Sequence, residues 1–182
     1  EFNWISETEI SSKKWLIVGR LDESKIFGIF EFIKFAKAAG FAGVRIVGSG
    51  DAESELKEEI KKEALIDFVE FLGARTDISQ LMKNCDGVAG MGRVVLEGIC
   101  SQKTTCLVGY DGVKGLVDLK LIKNALLFNF SGRNLRNITE DEFISQTNNF
   151  QINSVLENYD FVSRNFNGSV IWKNFSSLID NR

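Results

Sequence analysis

Histidine is missing from all 182 residues. Within this chain that excludes a Ser-His-Asp triad, a Cys-His pair and a His-ligated zinc. Proline is absent too, and the composition supplies no physical reason for it. Cysteine is scarce: Cys85, Cys100 and Cys106 stand in apolar or strand-like contexts with no CxxC spacing. An odd number of scattered thiols fits a reducing, cytoplasmic compartment better than a disulfide framework, and all three are expected as buried structural thiols. No apolar run is long enough to span a bilayer, and no segment reads as a signal peptide. Neither charge sign dominates; a net charge of −3 with no basic stripe broken by aromatics gives no reason to expect nucleic acid.

What is present suits one soluble domain with a real core: 44% hydrophobic and 26% charged residues over a length short for two domains. Apolar runs of strand length alternate with helical patterns. Strands are expected at Trp15–Gly19, Val44–Gly48, Phe68–Gly73, Asp86–Gly90 and Thr104–Gly109, with a last one at Ala125–Phe130. Helices are expected near Lys25–Ala39, Ala52–Ala64, Ile78–Asn84 and Arg93–Gln102, with closing helices around 139–147 and 152–179. Thr139 followed by Glu142 reads as a capping box. Strands alternating with helices predict an α/β fold, a doubly wound parallel sheet of Rossmann-like type covered on both faces. One domain over 1–182 is expected, with its core at 13–150 and C-terminal helices at 151–182.

In such sheets ligands bind outside the carboxyl ends of the strands, near the topological switch point. Arg20 falls just past the first strand and Lys25 at the start of the next helix. Gly48 and Gly50 follow the second strand. Gly90 and Gly92 open the helix that carries Glu97. Glycines let a backbone approach a ligand closely, and a helix N-terminus offers N–H groups to an anion. Two cations and a glycine-opened helix therefore make a cradle for a diphosphate. The GxGxxG fingerprint fails at both glycine pairs, with Glu53 and Val95 at the third position, and GxxxxGK[ST] is absent. A phosphate ligand survives, whereas NAD and P-loop nucleotide sites do not. Each residue also has a plainer account. Arg20 and Lys25 can pair with Asp22 or Glu23, the glycines can simply turn the chain, and Glu97 can pair with Arg93 one helical turn earlier. The apolar neighbours of Glu97 (Val94, Val95, Leu96, Ile99, Cys100) make it costly to bury without a partner.

The ordered series VGRLDESK, FIKFAKAAG, VRIVGSGDAESELKEEI, VEFLGARTDISQLMKNCDGVAGMGRVVLEGICSQKTTCLVGYDGVKGLV resembles the C-terminal, donor-binding domain of retaining glycosyltransferases of the two-Rossmann-domain (GT-B) type, over about Trp15 to Val117. The resemblance implies that Arg20 and Lys25 hold the donor diphosphate and stabilise the departing nucleotide. It puts Gly48 and Gly50 at the donor, and Gly73, Ala74 and Arg75 at the nucleobase. Backbone N–H groups of Gly92, Arg93, Val94 and Val95 would meet the diphosphate, and Glu97, the second glutamate of the family's E-x7-E motif, the ribose hydroxyls. It implies a hexosyltransferase of polysaccharide biosynthesis that takes a nucleoside diphosphate sugar such as a UDP-sugar as substrate, with no other cofactor and no essential metal. The implied partners are the nucleotide-sugar donor and an N-terminal acceptor-binding domain missing from this chain, which leaves room for peripheral membrane association through that half. Alone, the fragment is expected to be inactive.

The chain also departs from the pattern. The first glutamate of E-x7-E would stand at position 89, which is Ala89. The contact to the transferred sugar is therefore changed, displaced to another loop, or lost. Ala89 is the best support for the alternative, a non-catalytic Rossmann or flavodoxin-like module binding a nucleotide or a partner. Hexosamine 2-epimerase-type enzymes share the two-domain architecture, but no motif here favours them.

Overall fold

The computed structural model describes residues 14–166. Five parallel strands carry the doubly wound pattern: β1 (Lys14–Val18), β2 (Gly43–Val47), β3 (Val69–Gly73), β4 (Gly87–Gly90) and β5 (Thr104–Gly109). A sixth, β6 (Gly112–Leu116), returns antiparallel against β5, giving the order β3-β2-β1-β4-β5-β6. The helices are α1 (Glu23–Ala38), α2 (Glu53–Lys62), α3 (Ile78–Lys83), α4 (Arg93–Cys100), α5 (Leu119–Leu126), α6 (Glu140–Asn149) and α7 (Ile152–Asn165). The part of the expected closing helix beyond 166 lies outside the described residues.

β1 shows why the sequence reads as a continuous apolar run: it is buried on both faces. Trp15 and Ile17 point into a core with Phe32 and Ile33 of α1, Leu56 of α2 and Phe143 of α6, while Leu16 packs with Met82, Cys85 and Val88 on the other side. Trp15 stacks on Phe41 at 5.1 Å, and Phe143 meets Phe32 edge-on at 5.8 Å. Under β5, α4, α5 and α7 share a further cluster around Val95, Ile99, Ile122 and Val162.

One expectation is corrected. The last strand is β6, not Ala125–Phe130. Asp118 caps α5 by accepting the Leu121 N–H at 2.7 Å, and Ile122 and Ala125 bury one face of that helix. The chain then turns through Asn129 and Phe130, both in the left-handed region at φ 50° and 54°, which no strand tolerates. β6 escapes the strand pattern because two glycines and Lys114 interrupt it. Lys114 is nonetheless fully buried, because its ammonium donates to Asp111 Oδ1 (2.6 Å), Leu135 O (3.0 Å) and Asn137 Oδ1 (2.5 Å). Side chains complete the outer edge of β6. Glu31 of α1 accepts the Val113 N–H at 2.6 Å, and Gln146 of α6 accepts that of Leu116 at 2.8 Å. The Thr139–Glu142 capping box forms at the start of α6.

Candidate functional site

The chain winds outward from β1 in both directions, so the switch point lies between β1 and β4. The loops leaving their carboxyl ends meet there. A small cavity of about 20 Å³, one water in size, is bounded by Gly19, Lys25, Ile29, Gly90 and Met91.

Asp22 organises the cations. Its Oδ2 takes Lys25 Nζ at 3.0 Å, and its Oδ1 lies 3.2 Å from Arg20 Nη2. The hydrogen bond from Lys25 is the main cause that holds the Asp22 carboxyl below its ordinary value, with the charges on Lys25 and Arg20 adding to it and partial burial opposing. Lys25 is mostly covered at 20% side-chain exposure, whereas Arg20 reaches into solvent at 74%. The pairing with Asp22 that the sequence allowed is therefore present, and it brings both cations to one point.

The glycines after β2 nest backbone on backbone. A Cβ at Gly48 would collide with the carbonyl of Gly19, and one at Gly50 with that of Leu21. Gly19 N–H donates to Val47 O, Leu21 N–H to Ser49 O, and Gly48 N–H to Gly73 O. The ends of β1, β2 and β3 are thus laced together. Gly73 itself adopts φ 66° with open space where a Cβ would stand, and Ala74 and Arg75 follow it exposed. Arg75 forks onto Asp77, Nε to Oδ1 at 2.8 Å and Nη2 to Oδ2 at 2.7 Å.

At the β4–α4 junction Gly92 has φ 62°, and its N–H is taken by Phe130 O at 2.9 Å. Val95 N–H goes to Gly92 O. Of the four N–H groups that open α4, those of Arg93 and Val94 remain outside both bonds. Glu97 is not buried among its apolar neighbours: at 36% side-chain exposure it pairs with Arg93 Nε at 2.8 Å, not with Arg20 or Lys25. Ala89 is sealed inside β4 between Ile17 and Cys106, because the strand runs straight into α4 through Met91 and Gly92. Cys85 and Cys106 are buried as expected, but Cys100 is exposed at the end of α4.

Sequence reasoning missed the turn after β5. Tyr110 and Asp111 join β5 to β6 at the same edge of the sheet, and the Arg133 guanidinium lies 4.9 Å over the Tyr110 ring. The Asp-Gly step that closes this turn is a hairpin signal and could have revealed it. Among the described residues no helix is long and apolar enough to cross a membrane, and no cluster of three or more potential ligands is arranged for a metal.

No family model matches the chain, and no curated protein sequence does. Solved structures do. Anabaena HepE in complex with UDP and glucose superposes with a TM-score of 0.67 at 21% identity, covering 97% of this chain and 50% of HepE. The pneumococcal O-GlcNAc transferase GtfA in complex with UDP and GlcNAc gives 0.61 at 17% identity, over 93% of this chain and 35% of GtfA. The lipopolysaccharide outer core galactosyltransferase WaaB gives 0.60 at 14%, over 93% and 49%. At these identities the likeness is one of fold. The fold is that of one Rossmann-like half of the two-domain GT-B glycosyltransferases, with β6 making its sheet mixed. The chain spans half the length of HepE.

Proposed function

We propose that this chain is the donor-binding half of a retaining glycosyltransferase, which moves a hexosyl group from a nucleoside diphosphate sugar to a glycan or lipid-linked acceptor. The observation that carries the proposal is the meeting of Arg20 and Lys25 at the switch point, beside the opening turn of α4. Fold likeness to glycosyltransferases solved with UDP supports it.

In this reading the diphosphate lies against Arg20, Lys25 and the N–H groups of Arg93 and Val94. As the bond from the sugar C1 to the bridging oxygen breaks, its electron pair passes to the β-phosphate, and these fixed positive groups stabilise the new charge. They supply the neutralisation without a metal. Glu97 turns from Arg93 to the ribose hydroxyls, and the backbone at Gly73, Ala74 and Arg75 meets the base. Gly48 and Gly50 hold the loop that lets these groups converge. The acceptor site and any membrane contact belong to another part of a longer, cytoplasmic enzyme, so this chain alone binds nucleotide and turns over nothing.

The sealed position of Ala89 favours a second reading, a Rossmann-like module that binds nucleotide without transferring sugar. Calorimetric titration with UDP, GDP and ADP tests the common premise, with Arg20→Ala and Glu97→Ala as controls. Saturable binding of one nucleotide, weakened in both variants, supports a donor site; no binding of any removes it. Sugar transfer by the longer enzyme, abolished by Arg20→Ala, then separates the transferase from the silent module.

A further inference from the structure

On the β5 side of Lys25 the carboxyl edge of the sheet opens into a second, larger cleft. It is shallow and open to solvent, about 540 Å³ in volume, and is lined by Ser24 of α1, Tyr110 and Asp111 of the β5–β6 turn, and Arg133. Arg133 stacks on Tyr110, so the wall joins an aromatic face to a guanidinium.

Asp111 is rigidly presented. Its Oδ1 accepts from the buried ammonium of Lys114 at 2.6 Å, and its backbone carbonyl accepts from the Asn137 amide. Lys114 cannot swing away, because Leu135 and Asn137 hold its remaining protons. The hydrogen bond from Lys114 also keeps the Asp111 carboxyl below its ordinary value, so it stands as an ionised acceptor with 65% of its side chain in solvent.

An ionised acceptor, a forked donor, a hydroxyl and a ring face form a set suited to a neutral, many-hydroxylated ring rather than to an anion, which Asp111 would repel. Position agrees with chemistry. The end of β3, where the base is placed, lies two strand spacings from β1, about 10 Å. The end of β5 lies two spacings to the other side of β1. A ligand with its base at Ala74 and its diphosphate at Arg20 and Lys25 therefore directs its far end into this cleft.

We propose that the cleft of Ser24, Tyr110, Asp111 and Arg133 binds the pyranose of the nucleotide-sugar donor, an inference that rests on the donor-binding reading. Asp111 accepts from ring hydroxyls, Arg133 and Ser24 donate to them, and the exposed part of Tyr110 packs on the C–H face. This supplies, one strand over, the carboxylate that Ala89 does not.

The test compares calorimetric titrations of the chain with UDP, UDP-glucose and UDP-N-acetylglucosamine, in the parent and in Tyr110→Ala and Arg133→Ala. Asp111→Asn leaves Lys114 without its carboxylate, so its folding is checked by thermal melting before its binding is used. The expected result is one UDP-sugar binding at least about tenfold more tightly than UDP, with that margin lost in both variants while UDP affinity is unchanged. Equal affinity for UDP and both UDP-sugars in the parent overturns the cleft and leaves the donor site standing. Variants that weaken UDP and UDP-sugar alike overturn it too. Failure of all three to bind removes the donor reading, and the cleft with it.

Discussion

Lys25 Nζ sits 3.0 Å from Asp22 Oδ2, so a cation assigned to the donor diphosphate already holds a counter-ion from its own loop. Arg20 shares that counter-ion. Asp22 both aligns the two side chains and competes with any phosphate for them. Asp22→Asn keeps the shape, removes the competing charge, and is expected to tighten UDP about threefold or more at low salt, the gain shrinking as salt rises. Calorimetry at two ionic strengths measures it. Weaker binding in the variant would mean that alignment by Asp22 outweighs its competition.

The three thiols differ in environment. Burial pushes Cys85 up to about 11 and Cys106 higher still, whereas Cys100 is solvent-exposed and raised less. A thiol-reactive chromophore at pH 8 is therefore expected to label one cysteine per folded chain, and all three only after denaturation. Cys100→Ser should abolish the native reaction. A second native thiol reacting at a comparable rate would contradict the packing of β5 or of the turn between α3 and β4.

Gly48 adopts φ 141°, and a Cβ there would strike the carbonyl of Gly19. Gly48→Ala is expected to cost about 3 kcal/mol in urea denaturation. Gly19→Ala meets nothing within 4 Å and should stay within about 0.5 kcal/mol of the parent. Equal effects would show that the two loops are not nested.

Phe143 is fully buried and ties α6 to the main core, with Phe32, Phe35 and Phe41 all within 6.0 Å, ring to ring. Phe143→Ala should cost about 4 kcal/mol. Because Gln146 on the same helix finishes the β6 edge, hydrogen exchange at Leu116 should quicken in this variant. Unchanged exchange at Leu116 would separate the two roles of α6.

Glu142 is held at about 2, first by the Arg136 guanidinium and then by the Thr139 N–H, against an ordinary value of 4.5. Its folded-state value is depressed, so the stability it contributes is complete above about pH 4.5 and is lost as pH falls toward 2. In Glu142→Gln the decline of stability between pH 5 and 2 should be shallower than in the parent. Parallel declines in urea titrations across that range would remove Glu142 from the acid response.

The first five strands and their helices were legible because each is a short apolar run that ends at a glycine, and the central ones, β1, β4 and β5, are buried on both faces. Val44–Gly48 and Thr104–Gly109 need nothing remote to make sense. β6 was not legible, because what makes it a strand lies far away in the chain: Glu31 and Gln146 complete its edge, and Leu135 and Asn137 make a buried Lys114 tolerable. Ala125–Phe130 misled for the opposite reason, an apolar composition with no visible sign of the positive φ at Asn129 and Phe130. At the site, the positions of Arg20 and Lys25 past the first strand were readable. The sharing of Asp22 was only one of several pairings the sequence allowed, and the meeting of Tyr110 with Arg133 requires the folded chain.

The sheet ends in two different ways. On the β6 side Glu31 and Gln146 act as a surrogate neighbour, so the border is closed to any incoming extended segment. The opposite border is β3, five residues long and carrying Glu70, which pairs with Arg45 of β2. Among the described residues, growth of this sheet by a foreign chain is thus a one-sided problem, guarded by shortness and a single negative charge.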